Sequence, residues 1–167
     1  MAKYFTQSRR IGLRRVEIAG IAAKANGLWM EQIAWNLCDD VDGFLRGKRY
    51  LIHDRDPLFT AGFLGTLAAA GVNSVKLPPR SPNLNAHAER FVRTIKESCL
   101  ARMILFGEGS LRKAIHEFVA HYHFERNHQG LENRLIIPDK NLAGHNGAIR
   151  RHERLGGMLN YYYREAA

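Results

Sequence analysis

RYLIHDRDPLFTAGFLGTLAAAGVNSVKL, residues 49–77, is the stretch that decides the fold. Arg49–His53 is a short apolar run that ends at Asp54 and reads as a buried strand. Pro57 suits a first helical turn. Leu58–Ala70 then keeps apolar residues at helical spacing until Gly71, which stops the helix. Val72–Leu77 returns to strand-forming residues. Strand, helix and strand in direct succession are the unit of an α/β layered domain.

Upstream, Arg15–Ile21 (RVEIAGI) alternates with β-branched residues and reads as another short strand. Asn26–Gly27 marks a turn, Leu28–Leu37 (LWMEQIAWNL) has helical spacing, and Asp39–Gly43 (DDVDG) breaks that helix. Downstream, Pro78, Pro79 and Pro82 with Ser81 and Asn83 make a loop that cannot be helical. A helix is predicted from Asn85 or Ala86 to about Met103, and another over Ser110–Glu125. From Asn133 onward the pattern is weak, and the cluster Tyr161–Tyr163 is assigned to packing.

The chain has 167 residues with 46% apolar content, enough to bury one core. Two cysteines, Cys38 and Cys99, cannot build a disulfide framework or a four-ligand zinc site on their own. No run of 18 apolar residues is present, which argues against a membrane span. The basic N-terminal stretch lacks the apolar core of a secretory signal, so a reducing cytosol is the expected compartment.

The net charge of +9 is the unusual number, and it points to a polyanionic partner. Basic residues gather at Lys3–Arg15, from Lys76 to Arg102, and at Arg150, Arg151, Arg154 and Arg164. A charge run is ordinarily a solvated face. The middle run differs because its cations surround Glu89 near the start of a predicted helix. On that helix Arg93 and Lys96 fall at roughly +40° and −20° from Glu89. One face therefore presents a carboxylate with two cations. Asp54 sits past the carboxyl end of a strand, where α/β sheets place ligands. Two such carboxylates suit a divalent metal and phosphodiester chemistry, with the cations holding phosphates. The bland alternative is a surface salt bridge between Glu89 and Arg93.

Other candidates are weaker. His116 and His121 are five apart, about 140° around a helix, so they do not share a metal as a zinc-protease pair would. His121, His123 and His128 with Cys99 could make a metal cluster. No glycine-rich phosphate loop occurs, and the segment 130–133 (GLEN) reads as a turn. His53 is left as a core residue or a support for Asp54.

Three stretches, LIHDRDPLFTAGF (51–63), VKLPPRSPNLNAHAERFVRTIKE (75–97) and HYHFERNHQGLENRLI (121–136), together resemble the integrase core of bacterial insertion-sequence transposases. These are relatives of the retroviral integrases. The words that carry the likeness are D-R-x-x-x-F-T, S-P-N-x-N-A-x-A-E-R-F and E-R-N-H-Q-G-L. The resemblance implies a ribonuclease H-like α/β fold, a mixed sheet flanked by helices, and an Asp, Asp, Glu triad that binds two Mg²⁺ (or Mn²⁺) ions. By it Asp54 matches the second carboxylate, Glu89 the third, and Lys96 the helix cation that approaches a DNA end. PPRSPNLN matches the active-site loop, and His121, His123 and His128 become packing and loop residues.

The first carboxylate breaks the match. In the family it stands on the central first strand, and counting back from Arg14–Arg15 it should fall near position 10, which is Arg10. Tyr4–Arg9 also lack the apolar run of a central strand. The expected organisation is a replaced or disordered segment 1–13, an integrase core-like domain 14–135 with its first strand missing or replaced, and an extension 136–167. The implied function is DNA integration and transposition by metal-dependent cleavage and strand transfer, inactive as it stands and shortened at its N-terminus. The alternative is a non-catalytic DNA-binding or oligomerising remnant. Expected metal ligands are Asp54 and Glu89, and expected DNA contacts are Arg80, Arg90, Arg93 and Lys96. Expected partners are element-end and target DNA, together with a second copy or a full-length transposase. Expected localisation is the bacterial cytoplasm, at the nucleoid.

Overall fold

The computed structural model describes residues 2–4, 15–80, 85–138 and 147–165. It is a mixed α/β chain in two compact units, Met1–Ile11 with Val16–Arg90 and Gly12–Arg15 with Phe91–Ala167.

The first unit is built from β1 (Ala2–Tyr4), β2 (Glu17–Gly20), α1 (Gly27–Leu37), β3 (Tyr50–His53), α2 (Ala61–Ala69) and β4 (Asn73–Lys76). Asn26 begins α1 as its N-cap rather than making a free turn. Its side chain accepts the Trp29 N–H at 2.9 Å, satisfying one of the donors a helix start leaves open. Met30, Ile33, Ala34 and Leu37 then bury one face of α1. Beyond Cys38, Asp39 Oδ1 accepts the Val41 and Asp42 N–H groups at 2.8 and 3.2 Å. That local turn competes with a further helical turn and ends the helix. The core joins these α1 residues to Leu45, Leu51, Phe63, Leu67 and Val72.

Helix α2 starts later than Pro57 suggests. Asp54 Oδ1 accepts the Asp56 N–H at 3.1 Å, Asp56 Oδ1 accepts the Leu58 N–H at 2.9 Å, and Thr60 caps the helix by accepting the Phe63 N–H at 3.2 Å. Three side-chain acceptors in succession hold residues 54–60 as turns, so Pro57 lies outside the helix. Gly71, at φ 75°, follows the helix end in the left-handed conformation. β3 and β4 pair in parallel, Tyr50 opposite Asn73 through His53 opposite Lys76, with α2 as the crossover. β1 runs antiparallel to β2, with Ala2 opposite Gly20 and Tyr4 opposite Glu17 across an irregular register, and it also approaches β3. Among the described residues the strands form three two-stranded sheets.

The second unit includes α4 (Gly107–Phe124) and an antiparallel hairpin, β5 (Ile149–Arg154) with β6 (Leu159–Arg164). α3 (Ala86–Ser98) crosses the boundary between the units, and it ends five residues before the expected Met103. A 3₁₀ turn, Leu100–Arg102, takes up the remainder. Phe91 and Ile95 from α3, buried Cys99, and Ala114, Ile115, Phe118 and Tyr122 from α4 are all buried here. Phe91 meets Tyr122 edge-on at 5.0 Å between ring centres, and Phe118 lies 6.1 Å from Tyr122. The sequence pattern gives no strand after Asn133, yet the hairpin is there. Its turn uses Leu155, Gly156 and Gly157, all at positive φ (52°, 66° and 82°). The Tyr161 and Tyr163 rings stack at 5.8 Å.

Candidate functional site

Asp54 lies one residue past β3, exposed, on a turn fastened from several sides. Beneath it His53 is buried, with its ring tilted 37° against Phe59 at 4.2 Å between ring centres. His53 Nδ1 lies 2.6 Å from the Asp54 backbone oxygen, which can only accept, so Nδ1–H donates. Nε2 lies 2.7 Å from the Ser74 hydroxyl of β4, which can both donate and accept. Arg55 Nε donates to the Leu77 carbonyl at 3.1 Å, tying the same turn to the end of β4. His53, open to two readings in the sequence, is thus a buried support for the Asp54 peptide.

Glu89 sits exposed in the first turn of α3, where a negative charge meets the positive end of the helix dipole. Arg90, Arg93 and Lys96 are exposed too, while Ala88, Phe91 and Ile95 are buried. The helix therefore turns its apolar side to the core and its Glu89–Arg93–Lys96 side to solvent, as the spacing predicts. Among the described residues no ion pair joins Glu89 to Arg93. Arg80 is exposed at φ 56°, just before residues 81–84. Those residues, half of the expected active-site loop PPRSPNLN, and Arg10 lie outside the described residues.

Some of the other acids and histidines have structural partners. Hydrogen bonds from the Val41 and Asp42 N–H groups lower the Asp39 carboxyl pKa. His128 Nε2 meets the Tyr122 carbonyl oxygen at 2.8 Å, and residues 130–133 form a turn with Glu132 and Asn133 at positive φ. His116 is exposed and His121 buried, as their separation requires. Cys99 is fully buried and Cys38 partly.

One cluster has no forerunner in the sequence. Glu125, buried after α4, accepts from Arg154 Nη2 at 2.6 Å and from Arg154 Nε at 2.9 and 3.0 Å. His121 and His152 each place Nδ1 3.0 Å from the same carboxylate, and Arg154 Nη1 reaches Glu117 at 2.7 Å. Glu117, His121 and Glu125 share a face at spacings of four. That spacing was legible, but nothing in it names Arg154 as the partner.

Residues 70–135 match the integrase core domain. No curated protein and no solved structure matches the chain. The integrase core match takes in β4, α3 and α4, and with them Arg80, Glu89, Arg90, Arg93 and Lys96. Asp54 precedes it and the β5–β6 hairpin follows it. The family implies DNA as a partner, and its members usually use divalent metal ions. Among the described residues, however, no group of three or more His, Cys, Asp and Glu side chains is placed to hold a metal ion. Asp54 and Glu89, the two carboxylates that the sequence singles out, are both exposed. No described helix is long and apolar enough to cross a membrane.

Proposed function

We propose that the chain is a transposase-type integrase core of ribonuclease H-like arrangement that binds DNA without cutting it. The observation that carries this reading is the solvent face of α3. There Glu89, Arg93 and Lys96 stand exposed on one side, inside the stretch that matches the integrase core. Cations on one helix face bind a phosphate backbone with salt-sensitive and largely sequence-independent affinity. Arg80 and Arg90 are exposed cations that add to the positive charge available for phosphates.

The absence of cutting rests on the donor set. Asp54 and Glu89 correspond to the second and third carboxylates of the family's triad. The strand beside both β2 and β3 is β1, Ala2–Tyr4, which contains no acid. It takes the place of a first strand and brings no carboxylate, and position 10, where counting along the sequence puts the family's first carboxylate, is Arg10. A dication held by two carboxylates rather than three loses charge compensation and alignment together. The partners in this reading are element-end and target DNA, with a second copy or a full-length transposase beside them.

Titrating Mg²⁺ or Mn²⁺ into the chain with labelled element-end DNA tests the proposal. Expected are binding that survives EDTA and Asp54→Ala, and no nicking or strand transfer at any metal concentration. Metal-dependent nicking that disappears in Asp54→Ala would overturn the non-cutting reading. Absence of DNA binding would overturn the whole of it.

A further inference from the structure

The β5–β6 hairpin is anchored by charge more than by apolar burial. Every β5 residue from Ile149 to Glu153 is exposed, and Leu159 is the one fully buried residue of β6. In register Leu159 lies opposite Arg154, next to the Leu155–Gly157 turn, so the anchor is concentrated at one end of the hairpin. At that end the Arg154 guanidinium is shared between Glu125 and Glu117 of the α4 segment, and the Glu125 side chain is only 7% exposed. At the far end the side-chain pair Arg150–Glu165, at 3.1 Å, is on the surface and contributes little. The aromatic core of the same unit, Phe91, Phe118 and Tyr122, comes from α3 and α4.

We propose that the hairpin is an ion-latched strap: when Arg154 releases Glu117 and Glu125 it opens as a unit, while α3 and α4 stay folded around their aromatic core. Removing one partner of a buried pair leaves the other charge uncompensated, which costs far more than an exposed pair is worth. A two-stranded hairpin without that anchor has little to hold it. Opening then belongs to the class of local unfolding reactions that spare the core.

Acid is the natural trigger. The groups facing the latch are Lys113, His116, Glu117, His121, Glu125 and Arg126 from the α4 segment, and His152 and Arg154 from β5. Arg154 holds the Glu117 carboxyl below its ordinary pKa. Burial raises Glu125, but hydrogen bonds from Arg154 and His121 outweigh it and leave Glu125 lowered. Carboxyls depressed in the closed state hold the strap above their unfolded pKa and release it as pH falls through the folded one. Burial lowers His121, so it donates to Glu125 as a neutral ring and its protonation in the open state pulls in the same direction.

Hydrogen exchange of the full chain reads the strap directly. In Arg154→Met, residues 149–164 should lose protection by at least about tenfold, while residues 114–122 of α4 keep theirs. Unchanged protection in the hairpin would overturn the proposal, and so would equal loss in α4. If Arg154→Met does not fold, the wild-type chain taken from neutral pH into the carboxylate range decides, after correction for intrinsic exchange rates. The hairpin should open first, and simultaneous loss of hairpin and α4 would refute the latch.

Discussion

Replacing both Arg93 and Lys96 by Gln should weaken DNA binding by a calculable amount and flatten its salt dependence. Both side chains are exposed on the face of α3 opposite Ala88, Phe91 and Ile95, so the substitutions remove charge without touching the core. The two residues are three apart, which places them about 4.5 Å apart along the helix axis, within reach of neighbouring phosphates on one strand. Each phosphate contact contributes about 0.9 to the slope of log affinity against log salt, or about 8-fold at 0.1 M salt. Losing two should lower the slope by about 1.8 and the affinity by about 60-fold. Fluorescence anisotropy with a short duplex across a salt series measures both numbers. Arg112→Gln is the control, because Arg112 lies on α4 and its guanidinium is already engaged by Glu108, with Nε at 2.7 Å. A double variant with the wild-type slope would refute the α3 interface. Equal loss in Arg112→Gln would show that only total charge matters.

Two further outcomes test the fold that carries this face. Burial, reinforced by the charges of Arg15 and His128, lowers His123 to a pKa of about 4 from an ordinary 6.5. An unfolded chain therefore binds a proton that the folded one refuses, and stability should fall as pH drops from 6.5 to 4, by about 3 kcal/mol from this group. Urea unfolding of wild type and His123→Gln checks it, and an unchanged difference across that window would remove His123 as the cause. At Gly43, an added Cβ would sit 2.5 Å from the backbone N and O of Asp39 and 2.7 Å from the Leu37 carbonyl oxygen. Gly43→Ala should cost about 1–3 kcal/mol. Gly65→Ala, inside α2 with nothing within 4 Å, should gain up to about 1 kcal/mol. Thermal melting that ranked the two variants the other way would contradict the packing described.

The β3–α2–β4 unit was legible because burial leaves a period in the sequence. Leu51, Phe63, Leu67 and Val72 are the apolar residues that define its pattern, and all are in the core. The start of α2 was less legible, since Pro57 favours a first turn while Asp54, Asp56 and Thr60 spend their side chains holding the chain outside it. The hairpin left no period at all. β5 reads IRRHER, and what fixes it is Arg154 bonding a glutamate 29 positions away, an interaction that local patterning cannot encode. Its one local signal was Gly156–Gly157 between two short runs, a hairpin-turn dipeptide in a stretch otherwise too polar to read as sheet. Asp54 was legible from its place past a strand end and Glu89 from helical spacing with Arg93 and Lys96, while the family motifs supplied the roles the resemblance implies.

Both of those carboxylates also have a reason to be present that is independent of catalysis. Asp54 Oδ1 holds the turn after β3, and Glu89 compensates the positive end of α3. Lys96, in the last turn of the same helix, compensates the opposite end. A chain that no longer cut DNA would keep all three for folding alone, so their presence does not separate a cutting core from a binding one. Arg93 is different. It is exposed in the middle of α3, where the helix dipole gives it nothing, and among the described residues it forms no ion pair with Glu89 or Glu97. Folding makes no visible use of its charge, whereas a phosphate backbone would. Of the residues on this face, Arg93 is therefore the one whose single substitution should weaken DNA binding while leaving stability where it was.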